Sequence, residues 1–251
     1  MIDIHSHLLP GVDDGSRSVD VSVPVLQRFA ADGVEVLVLT PHLNASNAAN
    51  AAYERNHAIY EELCSVAPHG LELLLGWEIM LDEPNVDLRS RTLSLGGSRA
   101  VLVEFPRLRV PVQAGEELLR IRCSGVVPVL AHPERYYGCT LERVIEWRKA
   151  GAVIQMDTAG LLGKGPISKL SRAMVQEGLV DLFASDNHGD SRSLATARDW
   201  LRDVSTPEHA DLLTHLNARR LLDGQPMFPV PPLPAAGGIF GHLRELFLSR
   251  L

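Results

Sequence analysis

Histidines and carboxylates recur in this chain at the ends of short apolar runs, and as a set they could hold divalent metal. His5 and His7 stand in MIDIHSH, Asp13 and Asp14 in the DDG that follows, and His42 in LTPH. Glu78 closes GWE, Glu104 lies in VEF, His132 closes LAH, and Asp186 and His188 fall in SDNH. Each alone is a weak signal. A histidine on an apolar run is more often a buried ring with a backbone partner, and a lone carboxylate after a strand often answers a helix macrodipole. Together they mean more, because unpaired carboxylates crowded in one place repel. Neutral imidazole with Asp and Glu suits manganese, zinc or iron.

Charge arithmetic narrows the substrate. The candidate carboxylates Asp14, Glu78, Glu104 and Asp186 contribute about −4, and three divalent ions would contribute about +6. Such a centre is net positive in a chain of 24 basic and 31 acidic residues, net −7. A phosphate monoester dianion fits it. Divalent ions polarise phosphoryl oxygens and bring the pKa of a bound water towards ~7, so that hydroxide can attack in line. Arg135 follows His132 by three residues and Arg192 follows His188 by four. Guanidinium can grip phosphate oxygens as a bidentate fork; from spacing alone, a surface arginine beside a loop is an equal reading.

Other chemistries fit less well. None of Cys64, Cys123 and Cys139 has an arginine six residues on, so there is no Cys-x5-Arg phosphate loop. An odd, scattered set of cysteines offers no disulfide framework or CxxC zinc site. The acidic balance gives no reason to seek nucleic acid. No run approaches the ~18 apolar residues of a membrane span, and the N-terminus lacks signal-peptide architecture, so a cytoplasmic location is expected. His57, His69, His209, His215 and His242 have no partner at ligand spacing and read as surface.

The elements that must position the candidates alternate. Strands are predicted at 2–4, 34–39, 71–75, 100–105, 126–131, 152–156 and 179–184, and helices at about 19–32, 48–66, 113–123, 140–150 and 167–177. Gly33, Gly151 and Gly178 sit just past helix ends, where a left-handed residue closes the last turn. Apolar strands without alternation, separated by helices, indicate a parallel sheet covered by helices. Seven such units predict an α/β fold, a distorted (β/α)7 barrel, with an open doubly wound sheet as the rival. In a barrel all strand carboxyl ends meet on one rim, and six of them deliver a His, Asp or Glu there. The expected organisation is one domain over 1–224, then a Pro-rich strap and amphipathic C-terminal helix over 225–251.

The segments MIDIHSHLLPGVDDG, TPH, GWEI, VEF, AHPER and SDNHGDSR, in order from residue 1 to about 222, resemble the PHP (polymerase and histidinol phosphatase) superfamily. Within it they are most similar to the bacterial manganese-dependent protein-tyrosine phosphatases of capsule and exopolysaccharide loci. The resemblance implies a trinuclear centre: His5, His7, Glu78 and Asp186 on one ion, Asp14, His42 and His188 on a second, and Glu78, Glu104 and His132 on a third, with Glu78 bridging. Asp13 in place of Asp14 is the open alternative. Two to three divalent ions are expected, manganese first, with zinc or iron as alternatives. Arg135 and Arg192 match arginines used at the phosphate. The implied function is hydrolysis of phosphotyrosine in proteins, the implied partner the tail of a membrane-associated tyrosine autokinase that controls polysaccharide export. The rival is a small-molecule phosphomonoesterase such as a histidinol-phosphate phosphatase, where many relatives resemble each other in having His at the position of Glu104. A metal-binding module without catalysis is a rival of another class.

Overall fold

In the computed structural model, residues 1–233 are described. The strands are β1 (Ile2–Asp3), β2 (Val36–Leu39), β3 (His42–Asn44), β4 (Glu72–Leu75), β5 (Glu78–Met80), β6 (Ala100–Glu104), β7 (Val127–Ala131), β8 (Val153–Asp157) and β9 (Leu182–Ala184). The helices are α1 (Val19–Asp32), α2 (Tyr53–Val66), α3 (Ala114–Cys123), α4 (Leu141–Lys149), α5 (Thr158–Leu162), α6 (Pro166–Gln176), α7 (Leu194–Val204), α8 (Pro207–Asp211) and α9 (Asn217–Leu222). Every strand pairing is parallel. The α/β class expected from the sequence is what forms.

The ladders differ from one ring of seven strands. They make a three-stranded sheet, β1-β2-β4, and a six-stranded sheet, β3-β5-β6-β7-β8-β9. Two predicted strands continue past a break into the other sheet. After β2, Pro41 has no N–H to give a ladder, and Thr40 N turns to Ser6 O at 2.8 Å. The chain then re-pairs as β3, with His42 opposite Glu78. After β4, Gly76 and Trp77 make the equivalent step, and the Trp77 indole N–H donates to Thr92 O at 2.9 Å. Both extra strands begin on a candidate ligand.

Side-chain alternation explains how the sheets share a core. Ile2, Ile4, Val36, Val38, Ala100, Leu102, Val129, Ala131, Val153, Leu182 and Ala184 form one inner cluster fed by strands of both sheets. The intervening residues pack outwards: Val101, Val103, Leu130, Ile154 and Phe183 in one cluster, and Leu37, Leu39 and Leu73 with Leu26 and Phe29 of α1 in another. The free edges of β1 and β9 are joined beyond their ladders by Asp186 N to His5 O (3.0 Å) and His7 N to Asn187 O (2.8 Å).

Four of the five helices fall close to their predicted spans, with Gly33, Gly151 and Gly178 at φ 88, 94 and 66; the one expected over about 48–66 begins only at Tyr53, after a separate 3-10 helix over Ala45–Asn50. The described part of the Pro-rich strap packs on this body. Asn217 exchanges two hydrogen bonds with Phe228, Leu233 N donates to Gln176 O, and Val230 and Leu233 are buried. The C-terminal helix expected from the sequence lies outside the described residues.

Candidate metal centre

The carboxyl ends of the strands bring the nine candidate ligands together. They fall into four overlapping groups whose ligand atoms lie within 4.8 Å of one another: His7, Asp14, His42 and His188; His5, Glu78 and His132; His5, His7 and Asp186; His42, Glu78 and Glu104. The first reproduces the second expected trio with His7 added. Glu104 groups with His42 and Glu78, and His132 with His5 and Glu78; of the third expected trio, His132 Nε2 lies 2.8 Å from Glu78 Oε1 and 4.0 Å from Glu104 Oε2. His5, His7, Glu78, Glu104, His132 and Asp186 are buried and form the floor. Asp14 and His42 are exposed, so the mouth is open.

The floor tests whether a cation fits. His7 Nδ1 lies 2.7 Å from Asp13 Oδ2. An ionised carboxylate only accepts, so Nδ1 carries a proton, and a neutral His7 would present its lone pair at Nε2. His5 Nδ1 faces Gln155 Oε1 at 3.1 Å, which turns its Nε2 inwards as well. The two Nε2 atoms are 3.1 Å apart. Glu78 Oε2 and Asp186 Oδ1 each lie 3.2–3.3 Å from both nitrogens. In the neutral form that binds metal, both imidazoles add a lone pair to the two carboxylate oxygens, so four acceptors converge on one point. A proton satisfies one pair of them, whereas a divalent cation satisfies all four, so the donor set fits metal.

Glu78 is the hub. Oε2 also lies 3.0 Å from His42 Nδ1, and Oε1 lies 2.8 Å from His132 Nε2. Burial raises this carboxyl, but the His5 charge and hydrogen bonds from His132 and His42 override burial and hold it well below its ordinary value. Glu104 goes the other way: burial, and then the Glu78 charge, push it up to about 7. Asp186 is lowered, since the His5 charge and a hydrogen bond with His7 outweigh its burial. Carboxylates this unequal on one floor follow from the arrangement of imidazoles around each.

Backbone strain marks the same place. Among the described residues the non-glycine positions with positive φ are Asn85 (65), His132 (32) and Asp186 (48). Two of them are candidate ligands at strand ends, where a side chain must turn back over the rim. Left-handed backbone costs a non-glycine residue of the order of 1 kcal/mol and persists where the surroundings dictate it. Gly15 answers a related constraint. A Cβ there would collide with the carbonyl oxygen of His7, to which Ser16 N donates at 2.8 Å. The turn seats Asp13 and Asp14 in different places. Asp13 orients His7 and also accepts from Gly15 N and His42 N. Asp14 Oδ1 lies 3.2 Å from His42 Nε2 and 3.7 Å from His188 Nε2, among the cluster itself.

Both arginines reach the rim. Arg135 contacts Asp157 and lies 2.8 Å from Asp186 Oδ2; Arg192 lies 3.1 Å from the same oxygen and pairs with Asp190. Asp157, Gln155, Asp190 and the orienting role of Asp13 are what the sequence reading missed. Asp157 had a signal: it ends β8, one residue beyond the predicted 152–156, under the same rule that found its neighbours. Buried Glu134, whose carboxylate accepts from Asp157 N at 2.9 Å and is pushed up to about 8 by burial, had none.

A parallel α/β protein whose strand ends gather histidines and carboxylates that could hold metal ions is the class that fold and site define. Within that class, the chain belongs to the family described as capsular polysaccharide synthesis, CpsB/CapC, whose family model matches residues 1–223. The tyrosine-protein phosphatase YwqE of Bacillus subtilis (strain 168) is 31% identical over 251 residues, covering 93% of this chain and 96% of its own. The tyrosine-protein phosphatase CpsB of Streptococcus pneumoniae is 30% identical over 206 residues, covering 76% and 85%. A crystal structure from work on YwqE of Bacillus subtilis and CpsB of Streptococcus pneumoniae, described as unique metal-dependent tyrosine phosphatases, matches with a TM-score of 0.76 at 28% identity, over 93% of this chain and 99% of that one.

Proposed function

We propose that this chain is a metal-dependent phosphatase that hydrolyses phosphotyrosine in proteins. The observation that carries the reading is the convergence of His5, His7, Glu78 and Asp186 on one point, with two guanidiniums at its edge. The two tyrosine-protein phosphatases similar to it over most of the chain support the same activity. Bound divalent ions would supply Lewis acidity and a water of lowered pKa. His5, His7, Asp14, His42, Glu78, Glu104, His132, Asp186 and His188 would hold two to three such ions, manganese first among them. Asp13 fixes the His7 tautomer, and Gln155 orients His5. Arg135 and Arg192 would bind the non-bridging oxygens of the phosphoryl group.

Finer parts of the reading have their own support. The inner cluster shared by both sheets, and the hydrogen bonds joining the free edges of β1 and β9, favour treating the ladders as a distorted barrel of seven strand–helix units. The family resemblance extends the substrate to the tail of a membrane-associated tyrosine autokinase. No helix among the described residues is long and apolar enough to cross a membrane, which is compatible with a cytoplasmic enzyme meeting that tail. The family match ends at residue 223, which supports a boundary near 224.

The decisive experiment compares phosphotyrosyl peptide, phosphoseryl peptide and histidinol phosphate as substrates of the purified protein, with manganese and with chelator. Manganese-dependent turnover that favours the phosphotyrosyl peptide is expected. Faster turnover of histidinol phosphate would move the chain to small-molecule chemistry, and none of any ester with manganese would remove the enzyme reading.

A second prediction concerns the nucleophile. Burial pushes the Cys139 thiol up to about 12 and raises Cys64 as well. A thiol so far from ionisation is a poor nucleophile at neutral pH. Replacing Cys64, Cys123 and Cys139 together by serine is therefore expected to keep kcat/KM within about threefold of wild type, an allowance for small packing changes. A larger loss in a variant that keeps its melting temperature would bring a cysteine into the mechanism.

A further inference from the structure

Beside the centre lies a cavity of about 690 Å³ whose lining includes Arg135 and the apolar residues Leu108, Tyr137, Pro166, Ile167 and Leu170. Leu108 and Tyr137 are 86% and 78% exposed, and Ile167 is 45% exposed. Single exposed apolar side chains are ordinary, but several sharing one concave wall mark a binding surface. The wall joins three parts of the fold: the loop after β6, the turn after Arg135, and the first residues of α6.

That wall is held firmly. Tyr136 is buried, its hydroxyl donates to Ala131 O at 2.8 Å and accepts from Phe105 N at 3.2 Å, and its ring stands edge-on to His132. One side chain thus ties the end of β6 to the end of β7. Next to it, Tyr137 N donates to Arg107 O at 2.8 Å, which fixes the Leu108 loop against the Tyr137 turn. The surface is preorganised by backbone bonds, so a ligand entering it does not have to order it first.

We infer that this cavity receives the aromatic ring of the phosphotyrosyl substrate, and that Leu108, Tyr137 and Ile167 set the preference for an aryl over an alkyl phosphate ester. The inference rests on the phosphatase reading above. Arg135 belongs both to the rim and to the cavity, so a phosphoryl group gripped there has the apolar wall as its immediate neighbour. In phosphotyrosine a phenylene ring separates the ester oxygen from the backbone and can lie along that wall while the peptide stays outside. In phosphoserine the ester oxygen is on Cβ, so the same phosphate position would pull the peptide backbone in against apolar side chains, with its polar groups unpaired.

The test is the ratio of kcat/KM for a phosphotyrosyl peptide to that for a phosphoseryl peptide of the same sequence, in the manganese-loaded full-length protein. Removing a hydrophobic contact at a specificity pocket typically changes discrimination by roughly 10–200-fold. Leu108→Ser and Ile167→Ser are each expected to lower the ratio about tenfold, mainly through KM for the aryl ester. Leu108 is so exposed that its replacement leaves the core intact, and melting temperatures check both variants. Val112→Ser, on the same loop and 93% exposed but outside the cavity lining, should keep the wild-type ratio. An unchanged ratio in both wall variants, or equal losses on both esters, would overturn the inference while leaving the phosphatase reading intact. Wild-type protein that turns over neither ester would instead overturn the phosphatase reading, and this inference with it.

Discussion

Glu78→Gln is expected to lower metal occupancy and turnover together, with kcat down by at least about 10²-fold, or ~2.7 kcal/mol. Its two oxygens face different imidazoles: Oε2 lies 3.0–3.3 Å from His5, His7 and His42, and Oε1 lies 2.8 Å from His132. A carboxylate presents acceptors to both sides. An amide must turn an NH2 towards one side, where it offers a donor at a place that needs a ligand, and it removes one negative charge from beside the cations. Even orienting residues outside a metal's own ligands cost 10–100-fold in metal affinity when changed, so loss of a bridging ligand should exceed that. Elemental analysis after purification without chelator gives the occupancy, and the rise in melting temperature on adding manganese gives the affinity through ligand linkage. A variant that retains the wild-type metal complement and the full manganese-induced rise would show that Glu78 bridges nothing.

The second large effect is expected at the arginines. Arg135→Ala and Arg192→Ala should each lower kcat/KM by about 10²–10³-fold, the range for removing a charged donor aimed at developing negative charge in a water-poor site. Both guanidiniums converge on Asp186 Oδ2, at 2.8 and 3.1 Å, while Oδ1 of the same carboxylate faces His5 and His7. This geometry allows two roles, and the experiment divides them. If the arginines bind phosphate, the variants keep their full metal content and weaken inhibition by inorganic phosphate. If they serve only to orient Asp186, metal content falls and phosphate inhibition at saturating manganese is unaltered. Lysine at either position should recover only part of the rate, because a point charge does not reproduce the planar fork. Loss of less than about threefold in both alanine variants would take these residues out of the site.

Much of this is legible in the amino-acid sequence. The five predicted helices follow from apolar periodicity, three of them with a glycine just past the end, and α1 falls on its predicted span because Gly33 adopts the left-handed conformation that ends it. Each of the seven apolar runs overlaps a strand. The candidate ligands were readable by type because imidazole and carboxylate suit divalent metals, and their clustering followed from the rule that parallel strands end on one rim. Arg135, three residues past His132, was a candidate by the same rule, with a surface arginine as the equal reading.

Other features depended on contacts between residues far apart in the chain. Sequence favoured Asp14 and left Asp13 as the alternative; the turn at Gly15, pressed on the His7 carbonyl, sends Asp13 to His7 Nδ1 and Asp14 to His42 and His188. Sequence showed seven strands; Pro41 and the Gly76–Trp77 step break two of them and pass the chain between sheets, which places His42 opposite Glu78. Gln155 is an ordinary polar residue in a strand until the fold sets it beside His5, 150 residues away. Residue type and local period state which groups a chain can offer and which segments carry them. Which acceptor meets which donor depends on ladder register and turn geometry, and those are decided when distant segments pack into one core.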